Sequence, residues 1–561
     1  MNAPWMIILG TTLALITYLL LVSSPWLPIK SSSSSSSRGN HNNGTKHHAS
    51  EQDESLIELL AFTLAPAAVV PSRFVSFTFD WNINVTEHDA WSNASVGWTL
   101  DLDNPRLKAL ARAMAPANLR VGGSPADEAV YLVSKNNQNL CSSMKAAKHV
   151  CLNMNRWEQL VKFCQDTGVR LIFTLNIMFG RDADTSQSKW EPSNIRQFLE
   201  YTAQRWPSFP FGFEIGNEKE MYLDPVDVAD CYRQVRSMIN KFWPTSLGRP
   251  ILVGPAMNVR PDWLRLFLSA VDYELDAVTY HLYPGYGPSL NLTHLFLSPA
   301  WLDWTHTIVR QTQRAVLHAP KHGNIPELWV GESAAAWASG ASDGICNGFM
   351  SSFWYLDTLG HLASTGHGAH CRQALVGGNY SLLDQLADFQ PNPDYWAALL
   401  FRRLVTGSSS AVMLNVLQAT PGVVDFDPRL RTYLACTPPS SPYYTPGAMT
   451  LIWINTDDSR TLSARLRNAS TFKPHEPPFY FGLPRWDFVL TSSHLRSRTV
   501  QLNGQILRLQ ENDMVLLPPL QGVKATDERL ILPPQSMGFS VFTSAKVDLC
   551  LSRFEGQGII S

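Results

Sequence analysis

Eight short β-prone runs, each followed by sequence able to form a helix, constrain the fold of this chain more than any other feature. They are Ser76–Asp80, Asn118–Gly122, Arg170–Asn176, Phe211–Gly216, Ile251–Gly254, Ala277–His281, Leu328–Gly331 and Ala369–Gln373, and each breaks at glycine, a polar residue or a charge. Eight strand–helix units are the number that closes a (β/α)8 TIM barrel, an α/β fold. The amphipathic stretches Asn155–Thr167, Ser193–Arg205 and Pro225–Phe242 supply outer helices. The barrel is assigned to residues 75–408. After Gly407 the pattern shifts to short runs such as Ser410–Leu414, Met449–Asn455 and Met514–Leu517 between Pro- and Gly-rich turns. That pattern predicts a C-terminal antiparallel β-sandwich over residues 409–553, with a short tail from 554 to 561. Residues 56–74, through Leu56–Val69, are expected to lend the sandwich a strand. A length of 561 residues suits a large barrel with a second unit.

Two of the eight runs end in acids: Phe211-Gly-Phe-Glu-Ile-Gly-Asn-Glu218 on the fourth strand and Leu328-Trp-Val-Gly-Glu332-Ser on the seventh. An isolated Asn-Glu or Gly-Glu dipeptide is usually a surface carboxylate. Both at barrel-strand ends match what retaining glycoside cleavage needs, a proton donor and a nucleophile about 5–5.5 Å apart. Glu218 is assigned as acid/base and Glu332 as nucleophile. Asn217 is placed to hold the sugar 2-hydroxyl. Glu214, inside the strand, reads as support, and Glu220 as a solvated charge in the following loop. Tyr283 reads either as orienting the nucleophile or as packing, and His281 either as site support or as a satisfied core histidine. Arg120 is balanced between a hydrogen bond to the nucleophile and a buried structural ion pair. An acidic pH optimum is expected, because Glu218 must be protonated while Glu332 is ionised.

Composition removes other classes. Hydrophobic residues make up 45% and charged residues 16%, with 18 Trp and 16 Tyr, which fits a folded enzyme whose rings fill a core or stack on sugars. A net charge of −2 provides no basic field for nucleic acid or densely sulfated polymers. No Gly-x-x-x-x-Gly-Lys phosphate loop is present, and no cofactor is implied. The 8 cysteines lack zinc-site spacing, so no metal is expected. Cys141 with Cys151 and Cys436 with Cys550 are the disulfide candidates; Cys164, Cys231, Cys346 and Cys371 are unassigned.

The stretch Trp5–Val22 is apolar apart from Gly10 and hydroxyl residues. It lacks a basic n-region and exceeds the usual signal core of about 7–15 residues, so residues 1–28 read as a signal peptide or a signal anchor. Residues 29–55, including Ser31–Ser37, read as a low-complexity linker. Either reading of the leader sends the remainder into the secretory route, to the extracellular space or cell wall, with membrane contact only through that anchor. Sequons at Asn43, Asn84, Asn93, Asn291, Asn379 and Asn468 agree with this route.

The chain resembles the heparanase-like β-glucuronidases of glycoside hydrolase family 79. The resemblance runs through Phe79-Asp80-Trp-Asn82, Leu119-Arg-Val-Gly-Gly-Ser124, Leu171–Asn176, Glu214–Glu218, Val330–Ser333, Arg372-Gln373, Gly377–Tyr380, Pro393–Trp396 and Ala545–Cys550. It implies the same acid/base and nucleophile, and a terminal pocket for glucuronic acid contacted by Asp80, Asn82, Asn217, Gln373 and Tyr380. Tyr380 and the backbone amides of Ala338 and Ser339, which replace the family's Gly-Gly, would hold the C6 carboxylate, in a tighter pocket. Asn379 lies beside that pocket and is expected to stay unglycosylated, unlike Asn84, Asn93, Asn291 and Asn468. Animal members carry a long excised linker after the first barrel strand; here the connection from Asp80 to Leu119 is short, so a single chain is expected. The basic clusters of those members are also missing, with one Arg in Val259-Arg-Pro-Asp-Trp263. The Cys141–Cys151 region resembles plant members instead, which implies removal of terminal glucuronic acid from arabinogalactan-proteins or small aromatic glucuronides. Endo cleavage of a polysaccharide and a non-catalytic carbohydrate-binding role are the alternatives. A monomer is expected.

Overall fold

The computed structural model describes residues 56–81, 100–135, 137, 151–181, 189–245, 248–272, 274–289, 292–319, 326–341, 344–419, 427–470, 479–511 and 515–555. The leader, the linker, the tail from 556 and Cys141 lie outside the described residues. So do Asn43, Asn82, Asn84, Asn93 and Asn291.

The predicted barrel is present. Its strands are Val75–Asp80, Asn118–Gly122, Arg170–Leu175, Gly212–Ile215, Ile251–Asn258, Ala277–Leu282, Glu327–Ser333 and Ala369–Arg372. They pair in chain order, all parallel, and the eighth closes on the first through His370 against Val75 and Arg372 against Phe77. Such strands are covered by helices outside and filled by side chains inside, which is why Ala277–Leu282 is buried at every position. The outer helix Met154–Thr167 starts where the Asn153 side chain accepts from the Arg156 amide and stops at left-handed Gly168. Pro225–Phe242 starts with an Asp224 cap and proline in its first turn.

The fifth strand departs from expectation by running past Gly254 to Asn258. Pro255 removes a ladder donor, which would end a regular strand. Here a register irregularity between Val278 and Tyr280 of the neighbouring strand, with Ala256 at φ 54°, absorbs it as a bulge. As a result Asn258 reaches the rim, in register with His281.

The second sheet is built from Ala411–Ala419, Leu430–Cys436, Met449–Asn455, Leu462–Asn468, Arg485–Thr491 and Ser536–Phe542, with shorter strands at its edges. The N-terminal segment contributes two strands, not one: Ile57–Phe62 and Ala68–Val70 lie antiparallel along successive parts of Ala411–Ala419. Ile57–Phe62 also pairs parallel with Leu462–Asn468, an exception to the expected antiparallel pattern. No hairpin joins those two strands, so no turn dictates their direction. The expectation for Met514–Leu517 needs a further correction. Val515–Leu516 pairs with Gln510–Glu511 in a separate two-stranded ribbon, because Pro518 and Pro519 follow and cannot extend a ladder. Leu59, Leu434, Leu451, Trp453, Leu466 and Phe542 share one apolar core, and the Cys436–Cys550 disulfide ties the helix Asp548–Glu555 to it as predicted. Cys151 is also disulfide-bonded, whereas Cys164, Cys231, Cys346 and Cys371 are buried thiols.

The described residues belong to one compact unit, in which charge bridges barrel and sheet. Arg431 of the second sheet donates to Asp357 at 2.9 Å and Asp303 at 2.8 Å, both on barrel helices. Tyr433 and His306 complete the shell of Asp357 at 2.7 and 2.8 Å. Burial opposes ionisation of Asp357, but His306, Arg431 and Tyr433 outweigh it and hold the carboxyl below its ordinary range. Among the described residues no helix is long and apolar enough to cross a membrane.

Candidate active site

Apart from Arg120, which lies in the middle of the second strand, each described residue that sequence assigned to the site lies at the C-terminal end of a barrel strand or in the loop after it. Asp80 ends the first strand, Asn217 and Glu218 follow the fourth, and His281 and Tyr283 close the sixth. Glu332 is on the seventh, Ala338 and Ser339 lie in the loop after it, and Gln373 and Tyr380 follow the eighth. This is the face on which barrel enzymes build their sites.

Arg120 organises the floor. Its guanidinium donates to Glu214 at 2.7 Å, to Glu332 at 2.7 Å and to the Asn217 side-chain oxygen at 2.8 Å. The two readings of Arg120 are therefore both realised: it braces the nucleophile and forms a buried structural pair with Glu214. Thr279 and Thr174 donate to Glu214 at 2.8 and 3.1 Å, so that carboxylate is fully occupied below the site. With its oxygen held by Arg120, Asn217 turns its NH2 group to other acceptors, as recognition of a sugar hydroxyl requires. The Asn217 amide itself donates to Asp127 at 2.7 Å, and burial raises that carboxyl to about 7 despite Lys219 at 2.8 Å.

The two assigned acids face each other. One oxygen of Glu218, one of Glu332 and a ring nitrogen of His281 lie within 4.8 Å of one another. Tyr283 donates to the second oxygen of Glu332 at 2.5 Å. Burial and the adjacent carboxylate push the Tyr283 phenol well above its ordinary value, so it stays a donor through the acid and neutral range. Nδ1 of His281 lies 2.7 Å from Glu218. Burial works against ionisation of Glu218, yet its hydrogen bonds to His281 and Asn258 and the charges of His281 and Arg120 prevail and lower its pKa. Burial likewise disfavours the His281 imidazolium, but Glu332 and Glu218 raise its pKa. In the free enzyme the proton of this pair thus favours the imidazole. The Glu218–His281–Glu332 trio could be taken for a metal site. Both Glu332 oxygens already accept from Arg120 and Tyr283, and Nδ1 of His281 takes an oxygen of Glu218, whereas Nε2 of His281 is buried without a hydrogen-bond partner.

A second wall completes the pocket. Gln373 donates to Asp80 at 2.9 Å and accepts from Thr78, while Arg372, paired with Asp394 at 2.7 Å, holds the Gln373 carbonyl. Tyr380 is buried beside Gln373. Gly123 makes room for this wall: at φ +105° a Cβ there would lie 2.7 Å from the Asp80 carboxylate. Ala338 and Ser339 adopt φ of 57° and 60°, and the Asn379 amide donates to the Ser339 carbonyl at 2.8 Å. Two residues with side chains thus keep the left-handed backbone that the family's Gly-Gly would adopt without strain. Asn379 is half-buried in that contact, and Asn468 ends its sheet strand half-buried.

Sequence reading missed Thr174, Thr279, Asp127 and Asn258, and it mistook Glu220. Hydroxyls inside apolar strand runs, as in Phe173-Thr-Leu and Val278-Thr-Tyr, were the available signal for the threonines. Asn258 was hidden behind Pro255. Glu220, expected to be solvated, is 5% exposed.

An eightfold barrel that raises two facing carboxylates from its fourth and seventh strands, beside a β-sandwich, is the framework of a glycoside hydrolase. The chain belongs to glycosyl hydrolase family 79: the model of that family's N-terminal domain matches residues 60–360. It is 28% identical to heparanase-like protein 3 of Arabidopsis thaliana, covering 87% of this chain and 93% of that one. Baicalin-beta-D-glucuronidase of Scutellaria baicalensis is 27% identical, with 84% and 90% covered, and Bos taurus heparanase is 30% identical, with 88% and 92% covered. Among solved structures, a family 51 arabinofuranosidase from Xanthomonas axonopodis pv. citri superposes with a TM-score of 0.59 at 15% identity, covering 87% of this chain and all of that one. A Fusarium oxysporum 4-O-alpha-L-rhamnosyl-beta-D-glucuronidase gives 0.55 at 13% identity, covering 86% of this chain and 100% of its own; both likenesses show the fold.

Proposed function

We propose that the protein is a retaining β-glucuronidase that removes terminal glucuronic acid from arabinogalactan-type glycans or small glucuronide conjugates. The observation that carries this reading is the approach of Glu218 and Glu332 to within 4.8 Å, which suits direct attack and leaves too little room for the water of an inverting enzyme. Glu332, oriented by Arg120 and Tyr283, attacks the anomeric carbon. Glu218 gives its proton to the departing oxygen, then takes one from the water that hydrolyses the glycosyl-enzyme. Asn217 supports the 2-hydroxyl as positive charge develops. Tyr380, with the amides of Ala338 and Ser339, supplies donors for the C6 carboxylate, and the glucuronidase and heparanase names of relatives favour a uronic acid there. The Cys436–Cys550 disulfide supports passage through an oxidising compartment.

The test is release of 4-nitrophenol from its β-D-glucuronide between about pH 4 and 7, with the β-D-glucoside as control. Glucuronide-selective turnover is expected, reduced at least about 10³-fold in Glu332→Gln, whose thermal unfolding should match wild type. Turnover that survives the substitution would overturn the nucleophile; equal rates on the two substrates would overturn the uronate pocket.

A further inference from the structure

Trp337 follows the nucleophile on the loop after the seventh strand, yet 42% of it is exposed and it takes no part in the barrel core. Its neighbour is the half-buried Tyr286, from the loop after the sixth strand. Gly285–Tyr286 and Ala336–Trp337 pair as a short parallel ladder, and the two rings meet with centroids 4.5 Å apart and planes at 38°. The backbone locks this arrangement. The Gly287 amide donates to the Trp337 carbonyl at 3.1 Å, and a Cβ at Gly287 would collide with the Gly340 carbonyl, so the two loops interlock. The Asn379 amide, bonded to the Ser339 carbonyl, ties the seventh-strand loop to the eighth.

Both rings stand close to the reacting groups. Trp337 adjoins Ala338, whose amide faces the uronate in the reading above. Tyr286 is three residues beyond Tyr283, whose hydroxyl binds Glu332, and three residues span at most about 11 Å. With the sugar held against the wall of Asp80, Gln373 and Tyr380 from the first and eighth strands, its anomeric bond points toward Glu218. The leaving group therefore departs over the other side of the rim. The loop after Glu218 is also apolar at its surface, with Met221 54% and Tyr222 68% exposed. Neither Tyr283-Pro-Gly-Tyr-Gly-Pro288 nor Ala334-Ala-Ala-Trp-Ala-Ser-Gly340 carries a charge. A surface of this kind offers dispersion and an aromatic face, and nothing to pair with a sulfate or a second carboxylate.

We propose that Trp337, backed by Tyr286, is the leaving-group subsite and takes a flat, uncharged aromatic aglycone by stacking. The inference rests on the glucuronidase reading and names the class of conjugate that the site prefers.

The experiment measures kcat/KM of wild type, Trp337→Ala and Trp337→Leu on three β-D-glucuronides: ethyl, 2-phenylethyl and the disaccharide with galactose. The first two release alcohols of similar basicity, so their ratio reads the ring and not the chemistry of departure. Leu keeps apolar bulk without a flat face and decides the matter should the Ala variant fail to fold. Wild type is expected to favour the phenylethyl over the ethyl substrate at least about tenfold, a ratio that falls to about two or less in both variants. Damage to the adjoining uronate pocket would lower both rates together and leave the ratio intact, so an unchanged ratio would overturn the proposal. A loss in the variants that is greatest on the galactose disaccharide would also overturn it, in favour of a sugar platform. Wild-type turnover of the ethyl glucuronide upholds the glucuronidase reading whatever the ratio does; no turnover of any of the three refutes that reading and the inference with it.

Discussion

At the scale of single residues, the site works because polar groups forced together in the barrel satisfy one another. Arg120 is the central case, one guanidinium binding two carboxylates and an amide oxygen. The acids themselves were legible because each ends a strand-like run. Their braces were not, since Thr279 acquires meaning only when another strand brings Glu214 within 2.8 Å. Ala338 and Ser339 carry the opposite lesson. Their residue types give no hint of left-handed backbone, which for residues with a Cβ costs about 1–2 kcal/mol each. Ala338→Gly is therefore expected to raise the thermal midpoint slightly, and differential scanning calorimetry of the variant checks it. A lower midpoint would show that the Ala338 side chain contributes contacts worth more than the strain.

At the scale of elements, strands were legible wherever apolar runs end in a polar break, and the eight barrel strands lie within a few residues of their predicted positions. The misses had local causes. A bulge carried the fifth strand through Pro255, and long-range pairing recruited Ile57–Phe62 in a parallel direction that no neighbouring turn could announce. The contact of barrel helices with the second sheet was equally hidden, because Asp303, His306, Asp357 and Arg431 are scattered over well-separated segments. Severing a buried ion pair by deleting one partner typically costs about 3–5 kcal/mol. Arg431→Ala, which leaves Asp357 uncompensated, is thus expected to lower the unfolding midpoint by several degrees while KM for the glucuronide stays near wild type. A midpoint within one degree of wild type would show the network to be energetically idle.

For the molecule as a whole, acidity acts on folding through buried histidines. Burial lowers the pKa of His367 to about 3, and burial, with Arg372 and His367 nearby, does the same to His370. Both folded values lie below the unfolded value of about 6.5, so protons bind the unfolded chain preferentially below that pH. Stability is fully present above about pH 6.5 and is lost as pH falls toward 3, by up to about 1.4 kcal/mol per pH unit for each histidine. Unfolding midpoints measured from pH 7 to 4 should decline, and less steeply in His370→Leu; a flat profile would contradict the buried neutral state.

The N-terminal strand has a consequence for how the protein is made. Thr63 donates to Ser470 across 407 residues of chain, and Ile57–Phe62 pairs with Ala411–Ala419 and Leu462–Asn468. A ribosome adding about 5–20 residues per second therefore leaves this early strand without its neighbours for roughly 20–80 s after it emerges. Throughout that interval the growing barrel trails an unpaired apolar ribbon, and segments some 350–400 residues apart are sewn into one sheet only once the later strands have been made.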